Sequence, residues 1–546
     1  MTSLKITHHA CALALAVLLN PAGASAQAPA STPTQPDVYP MAEGPFKPDW
    51  ESLAQYQTPD WFADAKFGIW AHWSAQCVPE QGDWYAAKMY QQGHGMYKFH
   101  VVNYGHPSKF GFKDIDNLWK AEKWEPEKLI ALYKRAGAKY FVALANHHDN
   151  FDCYDSKYQP WNSVRIGPKK DIVGLWEKAA RAQGLRFGVT VHAGRAWNWF
   201  EASQGSDESG PLKGVPYDGK LTKADGKGTW WEGLDPQDLY AQNHKASTYG
   251  PGHTRITPSD KMSDAYCAKF YNRTIDLVEK YKPDLLYFDD FVLPVAGNSP
   301  KWGLGIAAHL YNASMKLHNG KNEAVMNTKR LNPQQRKCIV LDIERGASDH
   351  IEPLPWQTDT CIGNWHYRRE VFEKHTYKKP GIVIHMLADI VSKNGNLLLN
   401  VPMRGDGTID QDEVDCLEGI AKWMGVNSES IYSTRPWTVF GEGPTKPGKG
   451  SFGGVSDTVV YTPADYRFTT KNGALYAICL SVPNGPAKIV SLAKTDKPIA
   501  EVELVGSKEK LLWKQETDGL TIQPAKSWPS EHAVVFKIVF EKQPGK

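Results

Sequence analysis

The sequence predicts an α/β protein: an irregular barrel of eight parallel strands alternating with helices, followed by a C-terminal antiparallel β-sandwich. Three observations predict this. From about residue 60 to 405, amphipathic helices alternate with short apolar strands, as they do in parallel α/β folds. The strands are continuous apolar runs rather than alternating ones, as expected of a sheet covered on both faces. After about residue 450, short alternating runs appear, some divided by Asn472-Gly473 and Asp518-Gly519 turn signals, the pattern of a sandwich.

Each element follows from local signals. Phe67–Trp73 opens the sheet. Helix Pro126–Ala136 carries Pro in its first turn, stops at Gly137, and feeds strand Tyr140–Ala145. Helix Val173–Gln183 stops at Gly184 before strand Arg186–Val191. Helix Asp264–Lys280 places Cys267, Tyr271, Ile275 and Val278 roughly on one face, and the break Tyr281-Lys282-Pro283 ends it before Leu285–Phe288. A further helix stops at Asn319-Gly320 before strand Ala324–Asn327. Strands Cys338–Ile343 and Gln357–Ile362 follow with little or no helix between them, so the barrel is irregular. Helix Ile382–Lys393 stops at Asn394-Gly395 before Leu397–Val401. The count is eight strands, and a doubly wound sheet is the alternative. With the helical stretch Asp412–Met424, the barrel occupies 49–440. Its insertion at 200–262, rich in Gly, Asp and Lys and containing Trp230-Trp231, is expected over the catalytic face. The sandwich, at 450–546, is expected to use Thr458–Tyr461, Arg467–Thr470, Leu475–Leu480, Val502–Val505, Leu511–Lys514 and Val534–Phe540.

Composition narrows the function. A net charge of +3 over 546 residues, with no basic block, argues against nucleic acid or a membrane surface as partner. The 20 Trp and 24 Tyr suit carbohydrate handling, since aromatic faces stack on sugar rings, although large cores use aromatics too. Residues 1–26 read as a signal peptide. Lys5 is basic, Ala10–Leu19 is apolar but too short to span a bilayer, and Ala24-Ser25-Ala26 suits cleavage. Residues 27–48 read as a flexible leader, so the protein is expected to be exported, either periplasmic or secreted. Cys77, Cys153, Cys267, Cys338, Cys361, Cys416 and Cys479 form neither a disulfide framework nor a zinc pattern.

In a barrel, chemistry sits at the carboxyl ends of the strands. Those ends here carry His72-Trp73, His147-His148-Asp149, His192, Asp289-Asp290, Asn327-Thr328-Lys329, Asp342-Ile343-Glu344 and Trp356-Gln357. An ionised acid costs several kcal/mol to desolvate unless it is paired, so Asp289 and Asp290 are either structural ion pairs or reactive groups. Zinc hydrolysis is one reading, but the histidine spacing fits metal ligation poorly. The other reading is sugar recognition by neutral side chains, with two carboxylates cleaving the acetal.

Several segments carry a resemblance. Lys66–Trp73, Asp83-Trp84-Tyr85, His147–Phe151, Leu286–Asp289, Val391–Asn400 and Ile431–Trp437 are similar to the α-L-fucosidases of glycoside hydrolase family 29, in order from about residue 60 to 480. The resemblance implies a barrel plus sandwich and a retaining exo-α-L-fucosidase that needs no metal or organic cofactor. Its implied partner is a fucosylated oligosaccharide or glycoconjugate. It implies Asp289 as nucleophile, with Asp290 as the alternative, and Glu344 as acid/base, with Asp342, Asp349 and Glu352 as rivals. His72, Asp83, Trp84, His147, His148 and His192 are implied to bind the sugar hydroxyls. Trp70 and Trp365 are implied beside its C6 methyl, with core packing as their other reading. A related sugar such as an α-L-galactoside, or a fucose-binding lectin without turnover, are the alternatives.

Overall fold

The computed structural model describes residues 38–244, 261–295, 299–450, 452, 459–494 and 497–541. Residues 1–37, which hold the expected signal peptide and part of the expected leader, lie outside that set, as do residues 245–260 of the expected insertion.

Eight parallel strands close into a barrel in chain order. They are β1 Phe67–Ala71, β2 Tyr140–Asn146, β3 Arg186–Val191, β4 Leu285–Phe291, β5 Val325–Lys329, β6 Val340–Asp342, β7 Trp356–Cys361 and β8 Gly395–Asn400. Around them lie α1 Pro126–Arg135, α2 Ile172–Ala182, α3 Asp264–Tyr281, α4 Lys301–Leu317, α5 Pro380–Ser392 and α6 Gln411–Asn427. Every residue of β1, β2, β5, β7 and β8 is buried. That explains the largely apolar runs of β1, β2 and β8: helices cover one face and side chains fill the barrel on the other, while β5 and β7 bury polar side chains. The stop signals act where expected. After α4, Asn319 (φ 54°) and Gly320 (φ 91°) both turn left-handed, a conformation Asn and Gly tolerate best.

The barrel is irregular at the expected place. β6 has three residues, pairs with β7 through Leu341 and Asp342, and is joined to it without a helix among the described residues. β4 has an acid at each end. At its amino end Asp284 accepts from Arg186 (2.7 Å), from Arg181 (3.3 Å) and from the Phe187 N–H (2.9 Å). That end is a structural clamp.

The C-terminal part contains a five-stranded sheet and a three-stranded sheet, both antiparallel. The strands are β9 Arg435–Glu442, β10 Tyr466–Lys471, β11 Ala474–Cys479, β12 Ala487–Ile489, β13 Ile499–Leu504, β14 Trp513–Glu516, β15 Gly519–Ile522 and β16 Val534–Phe540. Tyr466, Phe468, Leu475, Ile489, Leu520 and Phe536 fill the space between them. One expectation fails: residues 459–461 form no strand, and residue 458 lies outside the described set. β9 pairs with β10 instead. Pro436 masked β9 in the sequence, and it is tolerated because β9 is the edge of its sheet.

Barrel and sandwich are joined by a buried ion cluster. Asp389 on α5 accepts from Lys393 Nζ (2.7 Å) and from Arg467 Nε (2.5 Å) on β10. Among the described residues no helix is long and apolar enough to cross a membrane. All seven cysteines from Cys77 to Cys479 are buried, and among the described residues none of them forms a disulfide.

Candidate active site

A cavity of about 810 Å³ opens at the carboxyl ends of the barrel strands. All ten residues singled out from the sequence line it: Trp70, His72, Asp83, Trp84, His147, His148, His192, Asp289, Glu344 and Trp365. Of the rivals to Glu344 none does, whereas Asp290, the alternative nucleophile, does. Asp342 points into the barrel and accepts from Gln357 Nε2 (2.9 Å). Asp349 is held by Lys449 (2.9 Å), and Glu352 by Arg336 (2.7 Å).

Asp289 projects from the end of β4. One of its oxygens takes the ammonium of Lys329, the last residue of β5. The other faces His148 Nε2 (3.3 Å) and His192 Nδ1 (3.5 Å). The same Lys329 ammonium also contacts Glu344, just beyond β6. Two acceptors on one nitrogen lie within about 6 Å of each other, twice a hydrogen-bond length. Glu344 is further fixed from outside the barrel, where its carbonyl accepts from the Phe452 N–H (2.9 Å).

The two carboxyls are driven apart electrostatically. Burial pushes Asp289 up, but Lys329, then Arg195, then the two histidines outweigh it and hold it well below the usual carboxylate range. Glu344 is raised: burial leads, Asp359 and Asp289 add to it, and Lys329 opposes. A carboxyl whose ionised form is favoured therefore stands beside one whose proton affinity is raised, the division of labour that acid–base chemistry needs. Beneath them Asp359 and Asp342 are raised by burial, and Asp359 accepts from Tyr287 Oη (3.0 Å).

The histidines are arranged as neutral donors and acceptors. Burial first, and mutual repulsion with other imidazoles second, depress His72 and His147 well below the usual imidazole value. Burial takes His192 down to about 4. Gln76 Nε2 donates to His147 Nδ1 (2.7 Å), which leaves His147 Nε2–H turned to the cavity. The Nδ1–H of His148 donates to the His192 carbonyl (2.7 Å). Nδ1 of His72 and both ring nitrogens of His192 are buried with no hydrogen-bond partner among the described residues, which makes them available to hydroxyls. Ring nitrogens of His72, His147 and His192 come within 4.8 Å of one another, as do ligand atoms of His148, His192 and Asp289. Either set could also accept a transition metal ion.

Local structure explains why these side chains converge. Asn400, the last residue of β8, accepts from the His72 N–H (2.8 Å) and donates to the Trp365 carbonyl (2.9 Å), tying β1 to the loop after β7. Asn146 accepts from the His192 and Ala193 N–H groups (3.1 Å each) and so sets the turn after β3. Trp70 and Trp365 lie together (ring centroids 5.3 Å) and form an apolar wall beside His72. Asp83 accepts from the His366 N–H (2.8 Å). Trp84 (φ 69°), Arg330 (φ 57°) and Arg345 (φ 45°) sit left-handed at the mouth, a strain that clusters at functional sites.

Sequence reasoning missed Arg195, His366, Tyr287 and Asp359. Arg195 and His366 lie in loops with no strand-end signal. Tyr287 and Asp359 sit inside strands, where core packing is the natural reading. Gln76 lies in a short turn beyond β1 and reaches the cavity through His147.

Comparison with known proteins places these features. The family model described as alpha-L-fucosidase matches residues 34–429, and that of the alpha-L-fucosidase C-terminal domain matches 455–539. Tissue alpha-L-fucosidase of Rattus norvegicus is 28% identical over 513 residues, covering 91% of this chain and 93% of the rat protein. Plasma alpha-L-fucosidase of Homo sapiens is 28% identical over 502 residues, covering 88% of each. Among solved structures, Thermotoga maritima alpha-fucosidase in complex with a mechanism-based inhibitor is 27% identical with a TM-score of 0.67. That match covers 90% of this chain and 100% of the other.

Proposed function

The chain belongs to the α-L-fucosidase family and is a glycoside hydrolase, and from that premise we propose that it removes terminal α-L-fucose with retention of configuration. The observation that carries this reading is the single Lys329 ammonium shared by Asp289 and Glu344 at the floor of a His- and Trp-lined cavity. Retaining glycosidases hold their carboxyls about 5–5.5 Å apart, and inverting ones about 6.5–9.5 Å apart to admit a water. A shared ammonium favours the shorter spacing.

In this mechanism Asp289, kept anionic chiefly by Lys329 and Arg195, attacks C1. Glu344, whose proton affinity is raised by burial and by Asp359 and Asp289, gives its proton to the departing oxygen. The fucosyl ester then accepts a water deprotonated by Glu344, and Asp289 is released. His72, His147 and His192 supply neutral ring nitrogens to the ring hydroxyls. The wall of Trp70 and Trp365 suits a C6 methyl and would leave a C6 hydroxyl unpartnered, which favours fucose over the galactose analogue.

The deciding experiment is Asp289→Gly. Hydrolysis of an aryl α-L-fucoside should collapse and return in part when azide is added, giving an azide adduct of inverted configuration. Unchanged activity would refute the role of Asp289. Export is part of the same proposal and rests on the basic, apolar and small-residue sequence of residues 1–26. The amino-terminal sequence of the protein recovered outside the cytoplasm should begin after Ala26.

A further inference from the structure

We propose that the leaving-group side of the cavity is an anion-accepting subsite, built on Phe291 with Arg330 and Arg195, which favours glycans bearing a sulfate or carboxylate on the sugar next to the fucose. The inference rests on the fucosidase reading and adds the chemistry of the aglycone. Phe291 ends β4 two residues beyond Asp289, past an irregularity in the β4–β5 register, and lines the same cavity. It is an aromatic at the next subsite outward, and it is 47% exposed, unlike the buried strand residues beneath it.

Two guanidiniums stand over this one ring. Arg330 Cζ lies 3.8 Å from the ring centroid, and Arg195 Cζ lies 5.3 Å from it. Arg195 is partly compensated by Asp290 (3.9 Å). Arg330 is exposed and makes no ion pair among the described residues. It also holds a left-handed backbone (φ 57°), which costs free energy for a residue other than Gly, Asn or Asp. Lys88 over the half-exposed Trp84 (5.3 Å to the ring) repeats the motif elsewhere on the rim, again without an ion pair among the described residues. A planar guanidinium stacked on an aromatic keeps its N–H fork free for two oxygens of one anion. An exposed ring beside it takes the C–H face of the sugar that bears the anion.

The test compares kcat/KM for three α-L-fucosyl disaccharides that differ only in the second sugar: neutral, sulfated, and carrying a carboxylate. A neutral aryl α-L-fucoside serves as control. The anionic substrates should be preferred roughly ten-fold, mostly through KM, because the contact is present in ground and transition states alike. The preference should shrink as salt rises. Arg330→Asn tolerates the left-handed backbone while removing the charge; it should abolish the preference and leave the aryl fucoside unaffected. Arg330→Lys should retain part of the preference. Preference for one anion alone would identify which group the fork accepts. Equal rates on all three disaccharides, or a preference that survives Arg330→Asn, would overturn the proposal while activity on the aryl fucoside still upheld the fucosidase reading.

Discussion

The molecule buries two clusters of charge that invert one another. At the barrel–sandwich junction one carboxylate, Asp389, sits between two cations, Lys393 and Arg467. At the carboxyl end of the barrel one cation, Lys329, sits between two carboxylates, Asp289 and Glu344. Each cluster lies in a low-dielectric setting where unpaired charge is costly. Among the described residues, no side-chain atom of the junction cluster is buried without a hydrogen-bond partner. Around the catalytic cluster, by contrast, both ring nitrogens of His192, an oxygen of Asp290 and an oxygen of Asp359 have no hydrogen-bond partner among the described residues. The difference fits the proposed division between structure and chemistry: one cluster is satisfied within the fold, and the other keeps polar atoms that the proposed sugar would occupy.

The largest effect that tests this contrast is at Asp289. Asp289→Asn should lower kcat on the order of 10⁴-fold or more, with a smaller loss of stability at neutral pH than at the junction, because Glu344 still pairs with Lys329 when the Asp289 charge is gone. A large loss of stability would erase the contrast. The converse substitution, Asp389→Ala, leaves two buried cations uncompensated and should cost about 3–5 kcal/mol in denaturation experiments. The folded fraction should retain wild-type kcat. Its pH dependence has a definite sign. Burial raises the Asp389 carboxyl, but Arg467 and Lys393 outweigh that and lower it. Its stabilisation is therefore present above the ordinary carboxylate range and lost as pH falls through the depressed value. The variant should lack that acid-labile component.

Glu344→Gln comes next. It should lower kcat roughly 10²-fold for an oligosaccharide and less for an aryl fucoside whose leaving group needs no proton. Because Asp289 is depressed and Glu344 is raised, the wild-type profile should be bell-shaped. Its acid limb marks protonation of Asp289, and its alkaline limb marks loss of the Glu344 proton. The variant should lose the alkaline limb alone.

The two clusters were unequally legible in the sequence. Acids at strand ends, in a chain whose strands are otherwise apolar, pointed to Asp289 and Glu344, because any charge at that position of a parallel barrel needs a reason. Lys329 stood at the same end, yet its bridging role depends on β5 lying between β4 and β6, a fact of tertiary order. Asp389 left no signal. It is buried on a mostly apolar helix, and its partner Arg467 is distant in sequence on a sandwich strand. The same limit hid Asp359 and Tyr287, which read as strand interior. β9 was lost to the opposite error, since Pro436 argues against a strand unless the strand is known to lie at an edge.

The smallest effect falls on the second acid of the pair. Asp290 neighbours Asp289 in sequence, but its carboxyl turns to Arg195 rather than to Lys329. Burial, opposed by Arg195 and reinforced by Asp289, pushes it up to about 7. A carboxyl raised on folding contributes stability that is complete below its unfolded value of about 4 and is lost as pH rises towards 7. Asp290→Asn should therefore flatten the fall in melting temperature between pH 4 and 7 and leave the protein a few degrees more stable at pH 8. Activity on an aryl fucoside should change by less than about ten-fold, against the collapse expected at Asp289. If Asp290→Asn instead abolished turnover and Asp289→Asn did not, the nucleophile would be Asp290. The catalytic cluster would then centre on Arg195, and its likeness to an inverted structural clamp would be lost.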